Sequence, residues 1–240
     1  MYDLVLVVGP CRSGTTFVFN ALSHSDFVGF FQPLKHQIRC ALSGTSSETR
    51  LERYAGRRVV VKEAFGPYRL EEADYDPVRK AIDIFQAEKV LLVLVLRSPV
   101  QCLASWEKAF YPDSPVNDQV FNQAYLNTLR LQRKYAQVLD VETLILEQEQ
   151  PFIRTLDEIR ARLGGTDASQ RYSDYVKPRD PRRYEVRGLL DKALQGKDYN
   201  AAYVSKEAAS VDMSRIAVAL QCYGTAQRGW NEPSENFHEL

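Results

Sequence analysis

Leu4-Val5-Leu6-Val7-Val8-Gly9-Pro10-Cys11-Arg12-Ser13-Gly14-Thr15-Thr16 is the stretch that decides the fold. Five apolar residues, three of them β-branched, read as a short buried strand. Gly9 and Gly14 bracket a turn, and Thr15 to Leu22 then read as a helix. Buried strand, glycine turn and helix, in that order, open a parallel α/β sheet. The turn has the spacing GxxxxG followed by two hydroxyl residues. A P-loop needs that spacing so that backbone N–H groups can wrap a phosphate at a helix N-terminus. A nucleoside-triphosphate loop also needs lysine directly after the second glycine, and here that position is Thr15. Arg12 is the only cation inside the loop. The turn therefore suits a phosphate without the usual β/γ-phosphate and Mg²⁺ arrangement, and Ser13, Thr15 and Thr16 add hydroxyl donors. The plainer alternative is a strand-to-helix turn with glycine for geometry and threonine as a cap.

Working outward, Val59-Val60-Val61 is a second short strand and residues 90–96 are a third. Strands that are apolar throughout imply a sheet covered on both faces. Residues 77–87 carry Val78, Ile82 and Phe85 on one helical side. Pro99 suits the first turn of the helix after the third strand. Further helices are expected over 124–138, over 152–163 with Gly164-Gly165 as its stop, and around Met213, Ile216, Ala217 and Leu220. Residues 30–56 and 164–208 show no clear period and are candidate substrate loops or lids. The expectation is a single domain over 1–240, less regular near 30–56 and 166–208. Its architecture is three-layer α/β, a central parallel sheet flanked by helices.

Composition excludes several classes. The chain has 240 residues, with 31 Lys+Arg against 31 Asp+Glu and no net charge. A nucleic-acid coat or a polybasic membrane binder relies on bulk positive charge, so no nucleic-acid or membrane partner is expected. The longest apolar runs are too short for a membrane helix. Cys11, Cys40, Cys102 and Cys222 are scattered with no CxxC pair, and His24, His36 and His238 are far apart in sequence. No metal site is expected, and the cysteines suit a reducing cytoplasm. The N-terminus lacks a signal-peptide pattern.

Pro10-Cys11-Arg12-Ser13-Gly14-Thr15-Thr16 resembles the 5′-phosphosulfate loop of sulfotransferases that use PAPS (3′-phosphoadenosine 5′-phosphosulfate). Cys11 stands between the proline and the basic residue as a departure from the usual pattern. The third strand ends in Leu96-Arg97-Ser98-Pro99, and Ser105 follows Arg97 by eight residues. The family places an arginine at that strand end and a serine at that spacing, both on the 3′-phosphate. Val141-Glu142-Thr143-Leu144 and the helix ending at Gly164-Gly165 resemble the family's Tyr-Glu-Asp-Leu segment and the helix after it. The resemblance implies a P-loop-like fold and transfer of a sulfuryl group from PAPS to a hydroxyl or amine acceptor, leaving 3′,5′-ADP, with no metal.

It also implies roles. Ser13, Gly14, Thr15 and Thr16 would cradle the phosphosulfate, and Arg12 would neutralise it. Arg97 and Ser105 would hold the 3′-phosphate, with one of Arg179, Arg182 or Arg183 in place of the family's late Arg-Lys-Gly loop. Lys62 matches a lysine at the end of the second strand that contacts the sulfuryl or bridging oxygen. The cytosolic members follow that lysine with Thr-His, whereas this chain has Glu63-Ala64. Glu63 is the first choice of general base and His36 the second. Lys62 and Glu63 can share one site only if the strand ends or twists there, because strand side chains alternate faces. Glu63 pairing with a nearby arginine is the structural alternative. Trp106 is read mainly as core. The acceptor would be small or carrier-bound. Two other classes remain open: a kinase or NTPase with a variant loop, and a nucleotide-binding scaffold without catalysis.

Overall fold

The fold is described from a computed structural model, which covers residues 1–23, 27–47, 50–164 and 211–229. Five strands form one parallel sheet in the order β2-β3-β1-β4-β5. They are β1 (Leu4–Pro10), β2 (Val28–Phe31), β3 (Val59–Phe65), β4 (Val90–Leu96) and β5 (Asp140–Ile145). Side chains of β1 divide between two cores. Leu4, Leu6 and Val8 face one, and Val5 and Val7 face the other, as strand alternation requires.

Helices cover both faces. α1 (Thr15–Leu22) and α7 (Glu149–Arg162) pack on the Val5/Val7 face through Val18, Phe19, Leu22, Phe152, Leu156 and Ile159. On the opposite face, α4 (Pro77–Phe85), α5 (Pro99–Phe110), α6 (Asp118–Tyr135) and α8 (Ala217–Gln227) contribute Phe85, Trp106, Phe121, Tyr125 and Cys222. α2 (Pro33–Leu42) and the short α3 (Leu70–Ala73) lie on that same side, at the outer end of β3. Each fully buried Leu or Phe contributes about 1.5–3 kcal/mol by leaving water. The three-layer α/β architecture is present.

Caps set several boundaries. Asp76 Oδ1 accepts the Val78 and Arg79 amides at 2.9 and 3.3 Å and starts α4. Asn117 Oδ1 does the same for Gln119 and Val120 and starts α6 at Asp118, six residues before the helix read from apolar spacing. The largest correction concerns 30–56. This segment is no open loop, because it holds the end of β2, all of α2 and a 3₁₀ turn at Leu51–Tyr54. Residues 166–208 lie outside the described residues. No helix among the described residues is long and apolar enough to cross a membrane.

β1 sits at the sheet's centre. The chain runs outward through β2, returns to β3, then crosses β1 to reach β4. Such a reversal leaves a crevice beyond the carboxyl ends of the strands, where open α/β sheets bind ligands. The glycine turn, the end of β3 and the end of β4 meet there.

Candidate functional site

The turn between β1 and α1 is held from behind. The Cys11 carbonyl accepts the Trp106 indole N–H at 2.6 Å and the Cys102 thiol at 3.0 Å, both from α5. The Cys11 amide donates to the Phe65 carbonyl at 2.9 Å and extends the β1–β3 ladder into the turn. Gly9 lets β1 pass close to β4. A Cβ there would stand 2.1 Å from the Val95 carbonyl oxygen. Arg12 takes φ 70° and Gly14 φ 99°, both left-handed. Gly14 is the N-cap of α1, and no side chain caps that helix. Its first-turn N–H groups are thus presented with the positive end of the helix dipole, where an anion is stabilised. The Ser13 hydroxyl is fully buried and has no hydrogen-bond partner. A buried orphan donor inside a glycine turn at a helix N-terminus fits a phosphate or phosphosulfate oxygen as its missing acceptor.

Three of the residues expected to bind the nucleotide meet at this turn. Arg12 Nε donates to Ser105 Oγ at 2.8 Å, although 93 positions separate the two. Arg97 Nη1 points at the Arg12 carbonyl oxygen, 3.4 Å away. Arg97 is nearly buried, and its Nε and Nη2 share the Gln101 carboxamide oxygen at 3.3 and 3.2 Å. Glu147 Oε1 lies 4.0 Å from Arg97 Nε. Tyr125, deep in α6, donates its hydroxyl to the Arg97 carbonyl at 2.7 Å and fixes the strand end. Two guanidinium groups brought to one turn raise its positive potential and favour a multiply charged anion.

The end of β3 divides its two charged residues between the faces. β3 stays in register with β1 as far as Phe65, so no break turns them to one side. Lys62 lies on the α1 face with its Nζ 4.1 Å over the Phe31 ring. Burial drives its ammonium down to about 7, against the pull of Cys11 and Glu63 and with the help of the Lys35 and Arg12 charges. Glu63 points the other way and is completely buried. Its Oε1 accepts the Leu34 amide at 2.7 Å, and its Oε2 accepts the Lys35 amide at 3.3 Å and the Tyr75 hydroxyl at 2.6 Å. Glu63 thereby caps α2 from a neighbouring strand. The helix's own N-cap, Gln32 at φ 53°, gives no side-chain capping bond, its Oε1 accepting from Lys35 Nζ at 3.3 Å instead. Burial raises the Glu63 carboxyl, and the bonds from Tyr75 and Leu34 pull it back. The arginine partner weighed for it is absent from these contacts. Two backbone amides and a tyrosine stand there instead.

Lys35 completes this buried group. Its Nζ donates to the Ala64 carbonyl, contacts Cys11 Sγ at 3.4 Å and lies 3.8 Å from Glu72 Oε2. Arg39 binds the same Glu72 with two bonds of 2.9 and 2.7 Å. His36 is half-buried one turn along α2, with Nε2 3.5 Å from Cys40 Sγ. No contact joins it to the glycine turn among those described. Arg179, Arg182 and Arg183 lie outside the described residues, as do His24 and His238. Glu142, from the segment resembling Tyr-Glu-Asp-Leu, pairs with Arg162 at 2.6 Å on the surface. The glutamate that reaches the strand-end arginine is Glu147. Among the described residues no cluster of three His, Cys, Asp or Glu side chains is gathered as a metal site.

Sequence reading passed over Lys35, Gln101 and Glu147. Gln101 stands four residues after Arg97, a helical neighbour distance. Glu147 follows the apolar run Leu144-Ile145-Leu146 as abruptly as Lys62 follows Val59-Val60-Val61, so the same signal marks both. Lys35 had no such mark. No family model matches the chain, and no curated protein matches it.

Proposed function

We propose that the protein is a PAPS-dependent sulfotransferase that moves a sulfuryl group to the hydroxyl or amine of a small or carrier-bound acceptor in the cytoplasm. The observation that carries this reading is the meeting of Arg12, Arg97 and Ser105 at one uncapped glycine turn. A kinase or NTPase reading is weaker, because Thr15 stands where such a loop needs its lysine. In this reading the α1 amides, the Ser13, Thr15 and Thr16 hydroxyls and the Arg12 guanidinium hold the phosphosulfate. Arg97 and Ser105 take the 3′-phosphate. PAPS supplies the activated sulfuryl group, with 3′,5′-ADP as the leaving nucleotide. Lys62, its amine lowered to about 7 by burial, takes up a proton at Nζ as an anion arrives and so offsets negative charge near the turn.

One observation favours a second reading. Glu63, the first choice for the acceptor's proton, is fully buried and already accepts three bonds. A protein that binds the nucleotide without transferring the group accounts for that as well. His36 is the alternative base in the catalytic reading.

Thermal unfolding with 3′,5′-ADP, ADP and ATP, each with and without Mg²⁺, tests the proposal. Ligand binding to the native state raises apparent stability. The expected result is a rise in Tm of several degrees with 3′,5′-ADP, independent of Mg²⁺, and little change with ATP. A preference for Mg-ATP overturns the reading. Tight 3′,5′-ADP binding with no sulfuryl transfer from PAPS to a wide acceptor panel selects the non-catalytic one.

A further inference from the structure

Glu147 sits between three parts of the chain. It lies just past the end of β5. Its Oε1 accepts the Ser98 amide at 2.8 Å and stands 4.0 Å from Arg97 Nε. Its Oε2 accepts the Tyr223 hydroxyl of α8 at 2.8 Å. Burial and the carboxylate push the Tyr223 phenol above its ordinary range, so it stays a donor at neutral pH. One carboxylate thus ties the strand-end turn before α5 to the C-terminal helix, with the Arg97 guanidinium at ion-pair distance.

The direction of the grip matters. Gln101 holds Nε and Nη2 of Arg97, and Glu147 lies beyond Nε. Nη1 donates to the Arg12 carbonyl of the glycine turn at 3.4 Å. A planar guanidinium recognises phosphate by presenting a chosen edge, so orientation governs how well it forks onto an anion. Glu147 holds the backbone next to this arginine through the Ser98 amide and, 4.0 Å from Nε, supports the charge of a side chain only 7% exposed.

We propose that Glu147, steadied by Tyr223, is a positioning residue that aims Arg97 and thereby sets the preference for nucleotides carrying a 3′-phosphate. This rests on the nucleotide reading given above and adds to it the residue that tunes its selectivity. It also gives α8 a part in ligand recognition, through the Tyr223–Glu147 bond.

The test is a pair of titrations with 3′,5′-ADP and with 5′-AMP, which lacks the 3′-phosphate, on wild type, Glu147→Gln and Tyr223→Phe. Glu147→Gln keeps the shape and an acceptor for the Ser98 amide. It is expected to lower the ratio of 3′,5′-ADP to 5′-AMP affinity about tenfold, almost wholly through 3′,5′-ADP. Tyr223→Phe is expected to lower the same ratio about two- to threefold. A purely structural role lowers both affinities alike and leaves the ratio unchanged, and that result overturns the proposal. Tighter 3′,5′-ADP binding by Glu147→Gln also overturns it, because the carboxylate would then act only by repelling the ligand. If Glu147→Gln does not fold, Tyr223→Phe carries the test, and an unchanged ratio there refutes the link to α8 and with it the proposal. Wild type with no preference for 3′,5′-ADP overturns the nucleotide reading itself, a result separable from loss of the variant effect.

Discussion

Lys62 shows how one buried side chain links stability to ligand. In the unfolded chain its amine titrates near 10.5, and in the folded protein near 7. Between those values the unfolded state holds a proton that the folded state lacks, so stability rises with pH across that window. The contribution is at its lowest at and below about pH 7. The limiting slope for one proton is about 1.4 kcal/mol per pH unit. Lys62→Met is expected to flatten that part of the profile and to raise stability at pH 7, as read by urea unfolding at a series of pH values. An identical slope in wild type and variant refutes the assignment. An anion seated on the glycine turn favours the charged amine. Affinity for 3′,5′-ADP therefore falls as pH rises above 7, and the Met variant loses that dependence.

At the scale of elements, the seat of α2 depends on a residue of β3. Glu63 accepts two first-turn amides of that helix, and Gln32 offers it no cap. Glu63→Ala leaves those amides and the Tyr75 hydroxyl without their buried acceptor and is expected to cost about 3 kcal/mol. Glu63→Gln keeps one acceptor oxygen and costs less. Turnover by the Gln variant at a normal rate excludes Glu63 as the base. A folded Gln variant that binds 3′,5′-ADP but is inactive restores it. The seating of α2 also shows where sequence reading stopped. β1, β3 and β4 were legible because central strands are buried on both faces and read as unbroken apolar runs. β2 and β5 are edges. Gly29 interrupts one, and Asp140, Glu142 and Thr143 the other, so neither run is continuous. α2 places Lys35, Arg39 and Gln32 toward a buried charged group, so its apolar period is broken by the residues that anchor it. Within the site, Arg12, Arg97 and Ser105 were legible from motif and spacing. Lys62 and Glu63 in one site required a break in β3 that its register with β1 excludes, and the partner that claims Glu63 comes from a segment whose helix had no apolar signature.

Across the molecule, 31 positive and 31 negative side chains cancel, yet the crevice at the strand ends gathers Arg12, Lys62 and Arg97. Long-range charge would therefore act on the proposed anionic ligand more than on the fold. Raising salt from about 50 to about 300 mM shortens the screening length and is expected to weaken 3′,5′-ADP severalfold while moving the ligand-free Tm little. A salt-independent affinity contradicts a charge-gathering crevice. The clasp on the turn has a kinetic side. Trp106 and Cys102 hold the Cys11 carbonyl, and the Cys11 amide is part of the sheet, so the backbone on either side of the turn is held in place without a ligand. On the nucleotide reading, little of the turn must be frozen on capture, association depends on collision and attraction rather than on waiting for a rare conformer, and differences in affinity among nucleotides are expected in how long each one stays.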